Sequence, residues 1–135
     1  LSAAAISSEC ESNLQLATYK RMADSDQLAR KLFFAAQGRQ ERENAIEQIE
    51  QVDRSNIAEL KSLLTTCGWP RKEDLESSVG AAAAALIIIH ADFDLQLLYA
   101  PLLERSYANS EISTGAYVAF LTRVQERTKR RSERK

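Results

Sequence analysis

Six polar side chains stand where a helical chain would ordinarily place carbon. Asp26 and Arg30 are spaced i,i+4, near enough on a helix to pair, and they fall inside the cluster formed by Tyr19, Met22, Ala23 and Phe33. Asp53 falls in the middle of the stripe Ile46, Ile49, Ile57, Leu60 and Leu64, and Asn56 lies near its edge. His90, the one histidine of the chain, projects among Ala83, Leu86, Ile87 and Leu97, with Asp94 one turn further on and Asp92 on the other side. An unpaired carboxylate, guanidinium, amide or imidazole is costly to bury. Asp26, Arg30, Asp53, Asn56, His90 and Asp94 are therefore expected to form a polar cluster inside a bundle. Two chemistries suit such a set: a self-satisfied network that fixes helix register, or an acid–base centre in a cleft between helices.

Other chemistries find no residues. A metal site needs His90 with two or more carboxylates, and the helical projection puts only Asp94 beside it, so no metal ligands are assigned. No serine stands in a strained elbow, and no catalytic nucleophile is assigned. No phosphate loop, dinucleotide fingerprint or stacking-aromatic pattern is present, so no cofactor is expected. Eighteen basic residues against nineteen acidic ones give a net charge of −1, with no global field toward nucleic acid or an anionic membrane. The longest apolar run, Val79 to Ile89, is too short to span a bilayer, and no membrane insertion is expected.

Cys10 and Cys67 show neither CxxC nor zinc spacing. The chain opens at Leu1 with a small-residue run, Ser2 to Ala5, which reads as a mature end after signal-peptide cleavage and points to a periplasmic or secreted protein. In that compartment the two cysteines are expected to form one disulfide. They lie near the start of the first helix and the end of the second, ends that antiparallel packing brings together.

The elements that must position these groups are helical. Among 135 residues, 44% are apolar and 27% charged, with only four glycines and two prolines. The reading is all-α: a single-domain bundle of about five helices with no strand. The first helix runs from about Ser8 to Ala36 and breaks at Gly38. The second runs from about Glu41 to Thr66 and stops at Cys67-Gly68-Trp69-Pro70. A charged loop, Arg71 to Glu76, leads to a third helix from Ser77 or Ser78 that carries Ala81–Ala85, Ile87–Ile89 and His90. Pro101 starts or kinks a fourth helix ending near Ala108, and Ser110 to Ser113 form a loop. The last helix runs from about Thr114 to Lys129. Residues 1–8 read as an N-terminal extension and 130–135 as a basic tail. From Arg123 to Lys135 there are seven basic and two acidic residues. Trp69 is expected to plug the end of the bundle.

The order of several short elements also resembles a bacterial family of helical domains of unknown function. The matching pieces are Asp26-Gln27-x-x-Arg30, Asp53-x-x-Asn56, Gly68-Trp69-Pro70, Gly80, and Ile89-His90-Ala91-Asp92 followed by Gln96, spread from Asp26 to about Val124. Where the family has Gln before the His, this chain has Ile89. The family's Asp-Arg pair is Thr122-Arg123 here, and its closing Tyr-Gly-Thr-Gln element is absent. The resemblance implies that the polar residues belong together as a unit. It implies no reaction, and a site completed by the missing element would be incomplete in this chain.

Two functions remain. One is a protein–protein interaction module of the bacterial envelope, of the inhibitor or immunity type that neutralises a toxic enzyme. The alternative is a small hydrolase or lyase using the Asp/His/Arg cluster. Access to His90 separates them: an open polar pocket favours the enzyme, a closed network favours the binder.

Overall fold

A computed structural model describes residues 8–134, so residues 1–7 of the expected N-terminal extension lie outside the described part. A 3₁₀ turn at Ser8–Cys10 precedes six helices: α1 (Ser12–Ala35), α2 (Arg39–Cys67), α3 (Lys72–Leu75), α4 (Val79–Ile89), α5 (Phe93–Ala108) and α6 (Thr114–Glu133). The described residues contain no strand. The chain is an all-α bundle, as the scarcity of glycine and proline implies.

α4 is the wedge of the bundle. The backbones of α1 and α2 approach each other and α4. Those of α5 and α6 likewise approach each other and α4, and not α1 or α2. A helix covered from both sides must be apolar all round. α4 meets this with Ala81, Ala83, Ala84, Ala85, Ile87 and Ile88, all buried, the alanines letting both hairpins come close. Tyr19 and Met22 of α1, Leu60 of α2, Leu103 of α5 and Phe120 of α6 pack around it.

The glycines that flank α2, Gly38 and Gly68, have φ of +82° and +80°, a region open to glycine at little cost. Beyond Gly68, Pro70 passes so near α4 that a Cβ on Gly80 would lie 2.8 Å from the Pro70 Cβ and 3.0 Å from Leu75 Cδ1. Only glycine fits at 80 without a shift of backbone. Cys10 and Cys67 meet at disulfide-bonding distance, with Cα atoms 5.4 Å apart, and close the open end of the α1–α2 hairpin.

The opposite end of that hairpin outruns the core. At about 1.5 Å per residue, α1 and α2 are more than twice as long as the 11-residue α4. Between Ala29 and Asn56 only Ala45 is buried. Residues 31–52 thus form a two-helix arm that projects past α4, and Ile46, expected in a core stripe, is exposed on it.

Several boundaries differ from the sequence expectation: the first helix starts at Ser12, behind the 3₁₀ turn, and not near Ser8. The third helix ends at Ile89, and α5 begins at Phe93, well before Pro101. The break has two causes. Asp92 caps α5, its carboxylate accepting the Leu95 N–H at 2.8 Å. Gln96, fully buried, donates its Nε2–H to the carbonyls of Ile88 and Ile89 at 3.1 and 3.0 Å, satisfying acceptors that the end of α4 leaves open. Pro101 sits inside α5 on its exposed side, near Leu97 and Leu98, where an unbonded carbonyl can meet water. The charged loop contains the single turn α3, and α6 continues through residues 130–133 of the expected tail.

Candidate functional site

The polar cluster lies at the root of the arm, where α1, α2 and the end of α4 meet. Asp26 is its centre, 1% exposed. Arg30, one turn on, donates to Asp26 Oδ1 at 2.8 Å. The same guanidinium forks across to α2, reaching Asp53 Oδ1 at 3.0 Å and Oδ2 at 2.9 Å. A bidentate pair of this kind joins the two helices with defined geometry. From the turn that ends α4 comes His90, whose Nδ1 lies 3.0 Å from Asp26 Oδ1. Gln27 completes the shell by donating to Asp26 Oδ2 at 2.8 Å.

Burial pushes the Asp26 carboxyl up, but hydrogen bonds from His90 and Gln27 and the charges of His90 and Arg30 outweigh it and hold the group below its ordinary value. Asp26 is therefore ionised near neutrality and can only accept hydrogen bonds. Hence His90 Nδ1 donates to Asp26, and the His90 side chain is 17% exposed. No hydrogen bond reaches Nε2 from the described residues, and the atom is not sealed. Among those residues Tyr19 Oη is the one buried side-chain polar atom without a partner. Burial raises the Tyr19 pKa strongly, with a smaller contribution from Tyr99.

Two members of the expected cluster stand apart. Asn56 is buried beside it but bonds elsewhere, donating to the Met22 carbonyl at 3.0 Å and so tying α2 to the backbone of α1. Asp94 is excluded. Because the chain breaks at residues 90–92, Asp94 falls in the first turn of α5, 82% exposed, and pairs with Arg131 at 3.0 Å. An uninterrupted helix would have put it one turn beyond His90. The capping carboxylate of Asp92 decides otherwise.

The fold also assembles a metal-capable trio that the helical projection does not anticipate, because Asp53 comes from another helix. Ligand atoms of Asp26, Asp53 and His90 all lie within 4.8 Å of one another. The guanidinium of Arg30 stands between the two carboxylates and engages both, so a cation there would have to displace it. The arrangement as folded is an ion network joining three helices.

A second buried carboxylate lies at the other end of the bundle. Trp69, partly buried against the core, donates its indole N–H to Ser106 Oγ at 2.6 Å. Ser106 donates to Glu111 Oε1 at 2.7 Å, and Glu111 Oε2 accepts the Lys72 backbone N–H at 2.8 Å. Trp69 is thus the plug the sequence suggests. Glu111 is a partner the sequence conceals, since a charged residue in a Ser-Glu-Ile-Ser loop reads as solvated. None of five principal surface cavities, about 200 to 500 Å³ in volume, is lined by Asp26, Arg30, Asp53 or His90.

Among known proteins no family model, no curated protein and no solved structure matches this chain.

Proposed function

We propose that this chain acts by binding another protein, as an inhibitor or immunity-type antidote to a toxic enzyme in the bacterial envelope. The observation that carries the reading is the arm. It is a preformed projection that holds Leu28 and Leu32 at its base and along α1, and Phe34, 83% exposed, near its tip. Aromatic and aliphatic anchors on a rigid element lose little freedom on binding. At the arm's root the ionic groups are occupied by one another, which suits a brace better than a cleft. The Cys10–Cys67 pair suits an oxidising compartment, and no described helix is long and apolar enough to cross a membrane.

The test is an antidote assay. Co-export with the toxic enzyme encoded beside this chain's gene should restore growth and give a stoichiometric complex, and Phe34→Asp should abolish both. The absence of such a neighbour, or no restoration of growth, overturns the antidote reading.

A second reading rests on one specific observation, the His90 imidazole, 17% exposed and held through Nδ1 by the buried Asp26. A carboxylate that fixes the imidazole tautomer leaves the other nitrogen ready to take a proton, as in acid–base catalysis. In that case the purified protein turns over a hydrolase or lyase substrate, and His90→Gln and Asp26→Asn abolish the turnover.

A further inference from the structure

The last helix sorts its charges. Arg127, Arg130, Arg131 and Arg134 recur at i, i+3, i+4 and i+7, so α6 and its C-cap residue, Arg134, place all four on one face. With Phe93 at the start of α5 they line a cavity of about 400 Å³, and no carboxylate is among its lining residues. That volume falls within the ordinary range of ligand pockets, roughly 300–1,000 Å³. The positive charge there is only partly neutralised. Arg127 donates to two uncharged acceptors, the Ala91 carbonyl at 2.7 Å and Gln96 Oε1 at 3.0 Å, and so is fixed by the same turn that ends α4. Arg131 lies over the Phe93 ring, 4.4 Å from its centroid, and reaches Asp94. Arg130 is 4.0 Å from Glu126, and Arg134 has no partner among the described residues. Burial and the charges of Arg123 and Arg130 lower the Arg127 pKa, as expected where like charges are crowded.

We propose that this cavity receives an acidic segment of the protein partner, a cluster of aspartate and glutamate side chains held by the forked guanidinium groups. The proposal rests on the reading that the partner is a protein. Charge distribution favours a short acidic segment over a nucleic acid. Residues 1–122 hold seventeen acidic and eleven basic residues, a surface that repels an extended polyanion beyond the stripe.

The experiment is a fluorescence-anisotropy titration of the full chain with a labelled octaglutamate peptide at about 0.15 M salt, where the Debye length is about 8 Å. A single-stranded DNA oligonucleotide and inorganic phosphate serve as competitors. The peptide should bind saturably. The exposed double variant Arg130→Gln/Arg134→Gln should weaken it at least tenfold. Lys61→Gln/Lys129→Gln removes the same charge away from the stripe and should change it less than twofold. No binding, equal losses in the two double variants, or tighter binding of DNA or phosphate than of the peptide overturns the proposal. The titration needs no toxic enzyme: a failed titration leaves the antidote reading standing, and a failed antidote assay leaves the measured peptide binding intact.

Discussion

The two ends of the α1–α2 hairpin are built on different principles. At the open end, covalent and steric constraints dominate: the Cys10–Cys67 link, Pro70 pressed against Gly80, and Trp69 packed over the core. Its buried carboxylate, Glu111, is held by a hydroxyl and a backbone N–H. At the arm's root, charge dominates. Asp26 is more deeply buried, and its donors are a guanidinium and an amide from α1 and an imidazole from the turn that ends α4. Glu111 joins α5's end to α3 through uncharged donors. Asp26 joins α1, α2 and α4 through Arg30 and His90. A joint made of ionisable groups responds to pH and to the loss of one partner in ways that a steric joint does not.

The largest way to break the comparison is Asp26→Ala. It leaves Arg30 and His90 without their buried partner and should cost about 3–5 kcal/mol in urea unfolding. The effect carries a pH signature. The folded-state pKa of Asp26 is depressed, so the unfolded chain binds more protons between the two values. The stabilisation is complete above the unfolded value near ~3.9 and is lost as pH falls through the folded one. The stability gap between wild type and Asp26→Asn should therefore narrow as pH falls below about 4. A gap independent of pH down to full acid would remove Asp26 as the centre of the network.

Breaking the other end, by Cys10→Ser/Cys67→Ser, should lower stability by about 2–4 kcal/mol through the freed unfolded chain. That loss should stay the same as pH falls below about 4, where the Asp26 gap narrows. A smaller steric probe is Gly80→Ala, whose Cβ would crowd Pro70. It should cost about 1–3 kcal/mol, read as a fall in melting temperature.

Asp53→Ala sharpens the ionic side. Arg30 keeps its bond to Asp26, so the loss should be about 1–2 kcal/mol, well short of that for an abandoned buried charge. A loss as large as that of Asp26→Ala would make Asp53 the true centre. The smallest effect on folding belongs to the arm's tip: Phe34→Ser should shift stability by no more than about 0.5 kcal/mol while weakening partner binding. A large loss of stability would show that the arm packs on something within the chain.

Much of the fold is legible in the sequence. Period and composition sufficed for helices because apolar residues on one face have nowhere else to go, and the punctuation at Gly38 and Gly68-Trp69-Pro70 marked both ends of α2. The Asp26–Arg30 pair followed from i,i+4 spacing, and Asp53 in an apolar stripe demanded a cation. Arg30 is that cation. Helical projection misplaces Asp94 because one uninterrupted helix and two separate helices share nearly the same apolar pattern around residues 90–92. The choice rests on Asp92 capping α5 and on Gln96 reaching back to α4, a contact no local window contains. Glu111 was hidden for a related reason, since its donors lie 5 and 39 residues away.

By itself the sequence determined where backbone hydrogen bonds could run as helices and which short-range pairs could form, because both depend on spacings of a few residues. Which helices outlast the core was decided only in three dimensions. An arm exists because α4 is short, and nothing within residues 31–52 records the length of α4. The same holds for the arginine stripe, since residues i, i+3, i+4 and i+7 become one charged cavity wall only when Phe93 stands opposite them.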